Sequence, residues 1–195
     1  MLRTTSFLAT AVVAGALLSA QDAGTATTSQ EPAAKPPAHV AIAKIAPRTE
    51  DVSSIDGIIK AYYEVVSGPA GQQRQWARDA TLYIPGVRFV IINQDDAGNS
   101  TAHSMTHQEF VDSSDASLAG KAFFEHEVHR IIHRAGNVAQ VLSTSEHTAA
   151  PGGPVQGRSI DSLELFFDGS RWWISGANIW DVESPNRPLP KEFMP

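Results

Sequence analysis

The chain has no cysteine among its 195 residues, which excludes disulfides, a thiolate nucleophile, a thiolate metal site and a lipid-bearing cysteine anchor. Stability therefore has to come from packing and hydrogen bonding alone. Basic residues are also scarce: 15 Lys and Arg stand against 21 Asp and Glu, for a formal net charge of −6. They form no cluster, and a nucleic-acid surface needs clustered cations to displace phosphate counterions, so no nucleic-acid partner is expected. Long apolar runs are missing except near the start, where Arg3 precedes the run from Phe7 to Leu18 and Ser19-Ala20 follows it. That run is shorter than the roughly 20 residues a spanning helix needs. A positive, then apolar, then small-residue order predicts a signal peptide over 1–20, export to the periplasm or medium, and no membrane insertion after its removal. Glycine-rich phosphate loops and a Ser-His-Asp order are absent as well, and the zinc pattern His-Glu-x-x-His fails because Arg130 stands where its second histidine belongs. No cofactor and no metal are expected.

What is present divides the chain. Residues 21–47 are rich in Ala, Thr and Pro with no period, which predicts a flexible linker. Residues 48–195 are long enough for one domain with one core. Val52, Ile55, Ile59, Tyr62 and Val66 recur at helical spacing before the stop Gly68-Pro69, predicting a helix over 51–67 in spite of Gly57. A short helical turn over 71–78 turns Trp76 inward. Strand-like stretches at 80–84 and 87–92 lead to a turn cluster at 95–99. Thr106-His107-Gln108-Glu109 is a capping box, with Met105 and Phe110 as its staple, and predicts a helix over 107–118 closed by Gly120.

Four strands complete the pattern. Residues 123–134 and 138–148 flank Gly136-Asn137, and residues 159–167 and 172–180 flank Asp168-Gly169, a strong hairpin signal. Strands segregated from helices indicate an α+β domain, in which one curved antiparallel sheet wraps three N-terminal-half helices on one side. The residues Gly136-Asn137-Val138-Ala139, Ser143-Thr144-Ser145-Glu146, the run from Gly157 to Phe166, Arg171-Trp172-Trp173 and Trp180-Asp181 resemble the nuclear transport factor 2-like (SnoaL-like) superfamily, and its exported bacterial members in particular. The resemblance covers about residues 51–181. It implies the cone shared with ketosteroid isomerases, scytalone dehydratase and SnoaL-type polyketide cyclases, a pocket between sheet and helices, and often a homodimer formed through the open sheet face. It does not imply one chemistry, because the fold hosts both binding and catalytic members.

Alternation across the last hairpin places Asp161, Leu163, Leu165 and Phe167 on one face with Trp172, Ile174, Asn178 and Trp180. That face is an apolar wall with a few polar groups, the make-up of a small-molecule site. Asp161 is the sharpest candidate: desolvation would raise its pKa and suit it to acid or base work, with Asn178, Tyr62 or Tyr83 stabilising an oxyanion. The alternative is that Asp161 accepts hydrogen bonds from loop amides or from Arg158.

In the strand over 123–134, the more apolar face carries Phe124, Val128 and Ile132 and faces Ala139 and Val141. It takes His126, Arg130 and His147 into the interior and leaves Glu125, Glu127, His129 and His133 on the other side. A structural alternative pairs Arg130 with a rim carboxylate and leaves the histidines partly exposed. His103 and His107 read as exposed polar residues, and Trp173 with Phe166 and Ile179 as a covered outer surface. The expected ligand is a small, apolar or partly apolar molecule. The alternatives are a cofactor-free isomerase, dehydratase or cyclase using Asp161 and His126, and a self-assembly or interaction module.

Overall fold

Residues 39–95, 97–181 and 188–195 are described in this computed structural model, without the side chains of Trp180 and Asp181. The signal peptide and most of the linker read from the sequence lie outside the described residues. Among the described residues four α-helices precede the last four strands: α1 (Thr49–Val52), α2 (Ile55–Val66), α3 (Trp76–Asp79) and α4 (His107–Leu118). Ser54 caps α2, its hydroxyl accepting from the Gly57 amide at 2.9 Å. Thr106 and Glu109 cap α4 reciprocally, so both helix starts follow from local sequence. Gly57 has a tertiary reason to be glycine: a β-carbon there would stand 2.2 Å from the Glu50 carbonyl oxygen of α1. Gly57→Ala should therefore destabilise by about 1–3 kcal/mol, as overpacking does, although alanine favours helix by about 1 kcal/mol. Urea unfolding reads the sign.

Six strands form one sheet in the order β2-β1-β6-β5-β4-β3. They are β1 (Tyr83–Gln94), β2 (Ser100–Thr106), β3 (Phe124–Ala135), β4 (Val138–Thr148), β5 (Val155–Phe167) and β6 (Trp172–Asp181). The class is α+β with the helices in the N-terminal half, and the last four strands are neighbours in sequence order. The sheet is mixed rather than wholly antiparallel, because β1 runs parallel to β6. Strand β2 is absent from the sequence reading: Ser100 to Thr106 is polar and edge-placed, and Met105 alone is buried in it, so no apolar alternation marks it.

Two bulges decide which side chains face inward. In β3, Glu127 pairs with Ser145 and His129 with Thr144, which leaves Val128 as an extra residue. In β6, Gly176 pairs with Glu164 and Ile174 with Leu165, which leaves Ser175 extra. Each extra residue shifts the alternation by one position. The inner face therefore carries Ala139, Val141, Ser143 and Ser145 of β4 and Asp161, Leu163 and Leu165 of β5. Beyond the bulges it gains Glu125 and Glu127 of β3 and Ala177 and Ile179 of β6.

Two further segments pack on this frame. Val40 and Ile42, read in sequence as part of the linker, join the core margin. The Val40 amide donates to Asp112 of α4 at 2.8 Å, and His39 lies 2.6 Å from the same carboxylate. On the outer sheet face the C-terminal residues lie over β4 and β5. Thr144 donates to the Phe193 carbonyl at 2.7 Å, and Leu189 packs on Ile160 with Phe193 and Met194.

Candidate functional site

A cavity of about 320 Å³ opens between the inner sheet face, α2 and α4. Its apolar part is built by Tyr62, Val66, Ile91, Phe110, Phe123 and Ile179, and its polar end by Glu125, His147, Ser159 and Asp161. Periodicity in α2 buries Tyr62 and Tyr63 together, since the helix is covered on more than one side. Their rings meet edge to face at 5.0 Å. Phe89 stacks on Phe110 at 4.2 Å and fixes α4 against β1. The loop after α4 is clamped by paired hydrogen bonds between Gly68 and Phe123, and by Arg74, which donates to the Lys121 carbonyl at 2.8 Å.

Asp161 is 2 % exposed and lines the cavity. Its Oδ2 accepts from the Tyr63 hydroxyl at 2.8 Å. That hydroxyl also lies 2.7 Å from Ser143 Oγ, and Ser143 donates to Glu127 Oε1 at 2.6 Å. Arg130 grips both oxygens of Glu127 and also reaches Asp56. Beside this row, Ser145 donates to Glu125 at 2.7 Å. A second buried carboxylate, Asp79, accepts from Tyr83 at 3.1 Å and lies 2.7 Å from His107 Nε2. Burial pushes the phenols of Tyr62 and Tyr63 well above their ordinary range, with Asp161 adding to the effect, and raises Tyr83 by burial and by Asp79. Burial also raises Asp79, against the opposing pull of His107.

The residues singled out from sequence divide by position. Asp161, Tyr62 and Tyr83 line the cavity. Leu163 and Trp172 are buried in the core and do not line it. Trp172 instead packs against Phe167 and under the Arg134 guanidinium, 5.0 Å from its ring centre. Three placements need correction, each for a bulge or a partner. Asn178 is exposed on the outer face, because the Ser175 bulge reverses the alternation. His126 is exposed and lies in a separate shallow depression with Arg78 and Glu64, because the Val128 bulge exchanges it with Glu125 and Glu127. Arg130 keeps the inner side of β3 but is spent on Glu127 and Asp56 and does not reach the cavity. His107, expected to be exposed, is engaged by Asp79, and Ile179 lies inside rather than beside Trp173. The side chain of Trp180 lies outside the described residues.

Glu125, Phe110, Phe123 and Ser159 were not singled out as cavity residues, and His147 only in passing. His147 carries a local signal: it pairs with Gly157, where a β-carbon would come within 2.5 Å of the imidazole, and its ring stacks on Phe123 at 5.0 Å. A glycine inside a strand marks such a close approach. Among the described residues no group of three or more metal-ligating side chains comes together, and no helix is long and apolar enough to cross a membrane.

No family model matches this chain, and no curated protein matches it. Solved structures resemble it. A candidate dehydratase of the NTF2-like family from Streptomyces avermitilis is 14 % identical, with a TM-score of 0.45, over 69 % of this chain and 97 % of that one. A candidate ketosteroid isomerase from Parabacteroides distasonis is 10 % identical, with a TM-score of 0.42, over 66 % and 87 %. An NTF2-like protein of unknown function from Shewanella baltica is 12 % identical, with a TM-score of 0.40, over 64 % and 86 %. At such identities an activity does not transfer. Two of these three proteins are named as NTF2-like.

Proposed function

We propose that the cavity binds a small, largely apolar molecule whose polar group meets the Asp161 end. The observation that carries this reading is the joint presence of an aromatic-lined space of about 320 Å³ and a 2 % exposed carboxyl in its lining. That volume lies in the range of small-molecule sites, and a few convergent polar groups in an apolar lining are what orient a ligand. A ligand at 100 times its dissociation constant would stabilise the fold by about 2.7 kcal/mol. A panel of neutral ring-sized alcohols and ketones, read by thermal shift and native mass spectrometry, should contain stabilising members. Ser114→Phe, which places a ring in the cavity from α4, should abolish their effect while leaving the fold intact. A panel that stabilises both proteins alike, or neither, would overturn the reading.

A second reading is cofactor-free acid–base chemistry on that molecule. It is favoured by one observation: Asp161, Glu125 and His147 line the same cavity. A positioned acid or base contributes about 10²–10⁴-fold. Once a turned-over member of the panel is in hand, Asp161→Asn should lower its rate by that factor and leave affinity within a few-fold. An unchanged rate would leave binding alone.

A further inference from the structure

The row Asp161, Tyr63, Ser143, Glu127 contains more hydrogen bonds than its hydroxyl groups have protons. Three oxygen–oxygen separations follow one another: 2.8 Å from Asp161 Oδ2 to the Tyr63 oxygen, 2.7 Å from there to Ser143 Oγ, and 2.6 Å from Ser143 to Glu127 Oε1. Each is the length of an O–H···O bond, and each needs one proton between its oxygens. Tyr63 and Ser143 supply two. Burial that keeps the phenol in its neutral form guarantees the first of them. With both carboxyl groups ionised, Ser143 would donate to Glu127 and Tyr63 to Asp161. The middle pair would then face each other at 2.7 Å with nothing between them.

The third proton has two possible places. Glu127 is the poorer one, because its Oε1 accepts from Arg130 Nε at 2.7 Å as well as from Ser143, and its Oε2 is taken by Arg130 Nη2. A bidentate guanidinium holds a carboxylate in its charged form. We propose that the row carries one extra proton, held on Asp161, so that the cavity presents a neutral carboxyl wired through Tyr63 and Ser143 to the partly exposed Glu127. Asp161 then donates to Tyr63, Tyr63 to Ser143, and Ser143 to Glu127, all in one direction.

The groups that face Asp161 from the surrounding elements are consistent with a neutral carboxyl there. Tyr62 of α2, Glu125 of β3, His147 of β4, Ser159 and Arg158 of β5 and Tyr83 of β1, with Asp79 behind it, line the same cavity, while Tyr63 and Glu127 belong to the row itself. Arg158 is engaged with Glu146 at 2.7 Å. Two further acids, Glu125 and Asp79, raise the cost of a third negative charge.

This deepens the binding reading and rests on it for its use. At the Asp161 end the ligand meets a hydrogen-bonding group without charge, which fits a neutral hydroxyl or carbonyl. A proton passed from the ligand to Asp161 is accompanied by release of the one on Oδ2 to Tyr63, of the tyrosine's to Ser143, and of the serine's to Glu127. Four O–H bonds form in the row and three break, the fourth broken bond being the ligand's, so the row gains one proton, which rests on Glu127, and Asp161 itself gains no charge. The side chain of Glu127 is 20 % exposed and can pass the proton to water without using the cavity mouth.

Carbon-13 NMR of aspartate carboxyl groups tests the proton directly in the unliganded protein, with Asp161→Asn assigning the resonance. At pH 7 the Asp161 signal should lie at the protonated position. In Ser143→Ala only the Tyr63–Asp161 contact remains, one proton satisfies it, and the midpoint of Asp161 should fall by at least about one pH unit, a tenfold change in its ionisation. Ser143→Thr, which keeps the hydroxyl, should restore the wild-type midpoint. An ionised Asp161 at pH 7, or an unchanged midpoint in Ser143→Ala, overturns the proposal. Should the alanine variant not fold, the wild-type protein still decides: a slowly exchanging, strongly deshielded hydroxyl proton is expected, and its absence counts against the row. No ligand enters these measurements, so their failure leaves the cavity reading intact, and failure of the ligand panel leaves the proton assignment intact.

Discussion

Replacing Asp51 with alanine is expected to cost about 3–5 kcal/mol, the penalty for removing one partner of a buried ion pair. Asp51 is 2 % exposed and Arg78 8 %. The pair is bidentate, with Arg78 Nε donating to Oδ2 at 2.8 Å and Nη2 to Oδ1 at 2.7 Å. Glu64, the other carboxylate in contact at 2.8 Å, is half exposed and cannot replace Asp51. Asp51 is the main reason the Arg78 guanidinium is held even above its ordinary range. These three residues come from α1, α2 and α3, so the cluster fastens α1 and α3 to α2, the helix that lines the cavity with Tyr62 and Val66. For a domain of this size the loss corresponds to a fall of roughly 10 °C in melting temperature. The double variant Asp51→Leu/Arg78→Met leaves no stranded charge and should lie closer to wild type than Asp51→Ala does. A scanning calorimetry series in which the double change is the worst of the three would contradict this account.

The second large effect appears in alkali. The chain has three tyrosines, Tyr62, Tyr63 and Tyr83, and all are at most 7 % exposed. Burial raises each phenol well above the ordinary 10.0. Because the shift is upward, the stability these groups lend is complete below pH 10, where the unfolded chain also keeps its protons. It declines as the pH rises above 10, since only the unfolded chain can then ionise them. Each phenol contributes about 1.4 kcal/mol per pH unit in this range, so three together remove roughly 4 kcal/mol by pH 11. That is a large part of the margin of an ordinary domain. Phenolate absorbance should therefore stay silent near pH 10 and then rise together with the loss of circular dichroism. A separate phenolate step in the still-folded protein would show that at least one ring is open to solvent.

How much of this was legible in the sequence depends on the range of the interaction that fixes each feature. The Thr106–Glu109 capping box is complete within four residues, and α4 starts where it says. The amphipathic spacing in α2 and the hairpin at Gly136-Asn137 are equally local. Strand β2 left no mark, because an exposed edge strand needs no apolar alternation. The inner face was readable along β5, where pairing is regular from Ser159 to Glu164. It became misleading past Val128 and Ser175, since one unpaired residue reverses every side chain beyond it. Asn178 and His126 were misplaced for that reason. The polar partnerships lay further out of reach: Asp51 meets Arg78 across 27 residues, Asp79 meets His107 across 28, and Tyr63 meets Asp161 across 98. Composition and periodicity carry no record of such meetings.

The strip laid over β4 and β5 by Leu189 and Phe193 bears on self-association. Any neighbour that is to stack on Thr144 and Ile160 must first peel this strip away, giving up the Thr144 hydrogen bond and the contact of Leu189 with Ile160. Pairing of two sheets by that route would be gated by an intramolecular competitor present at fixed effective concentration, and shortening Phe193 would loosen the gate without altering the sheet beneath it.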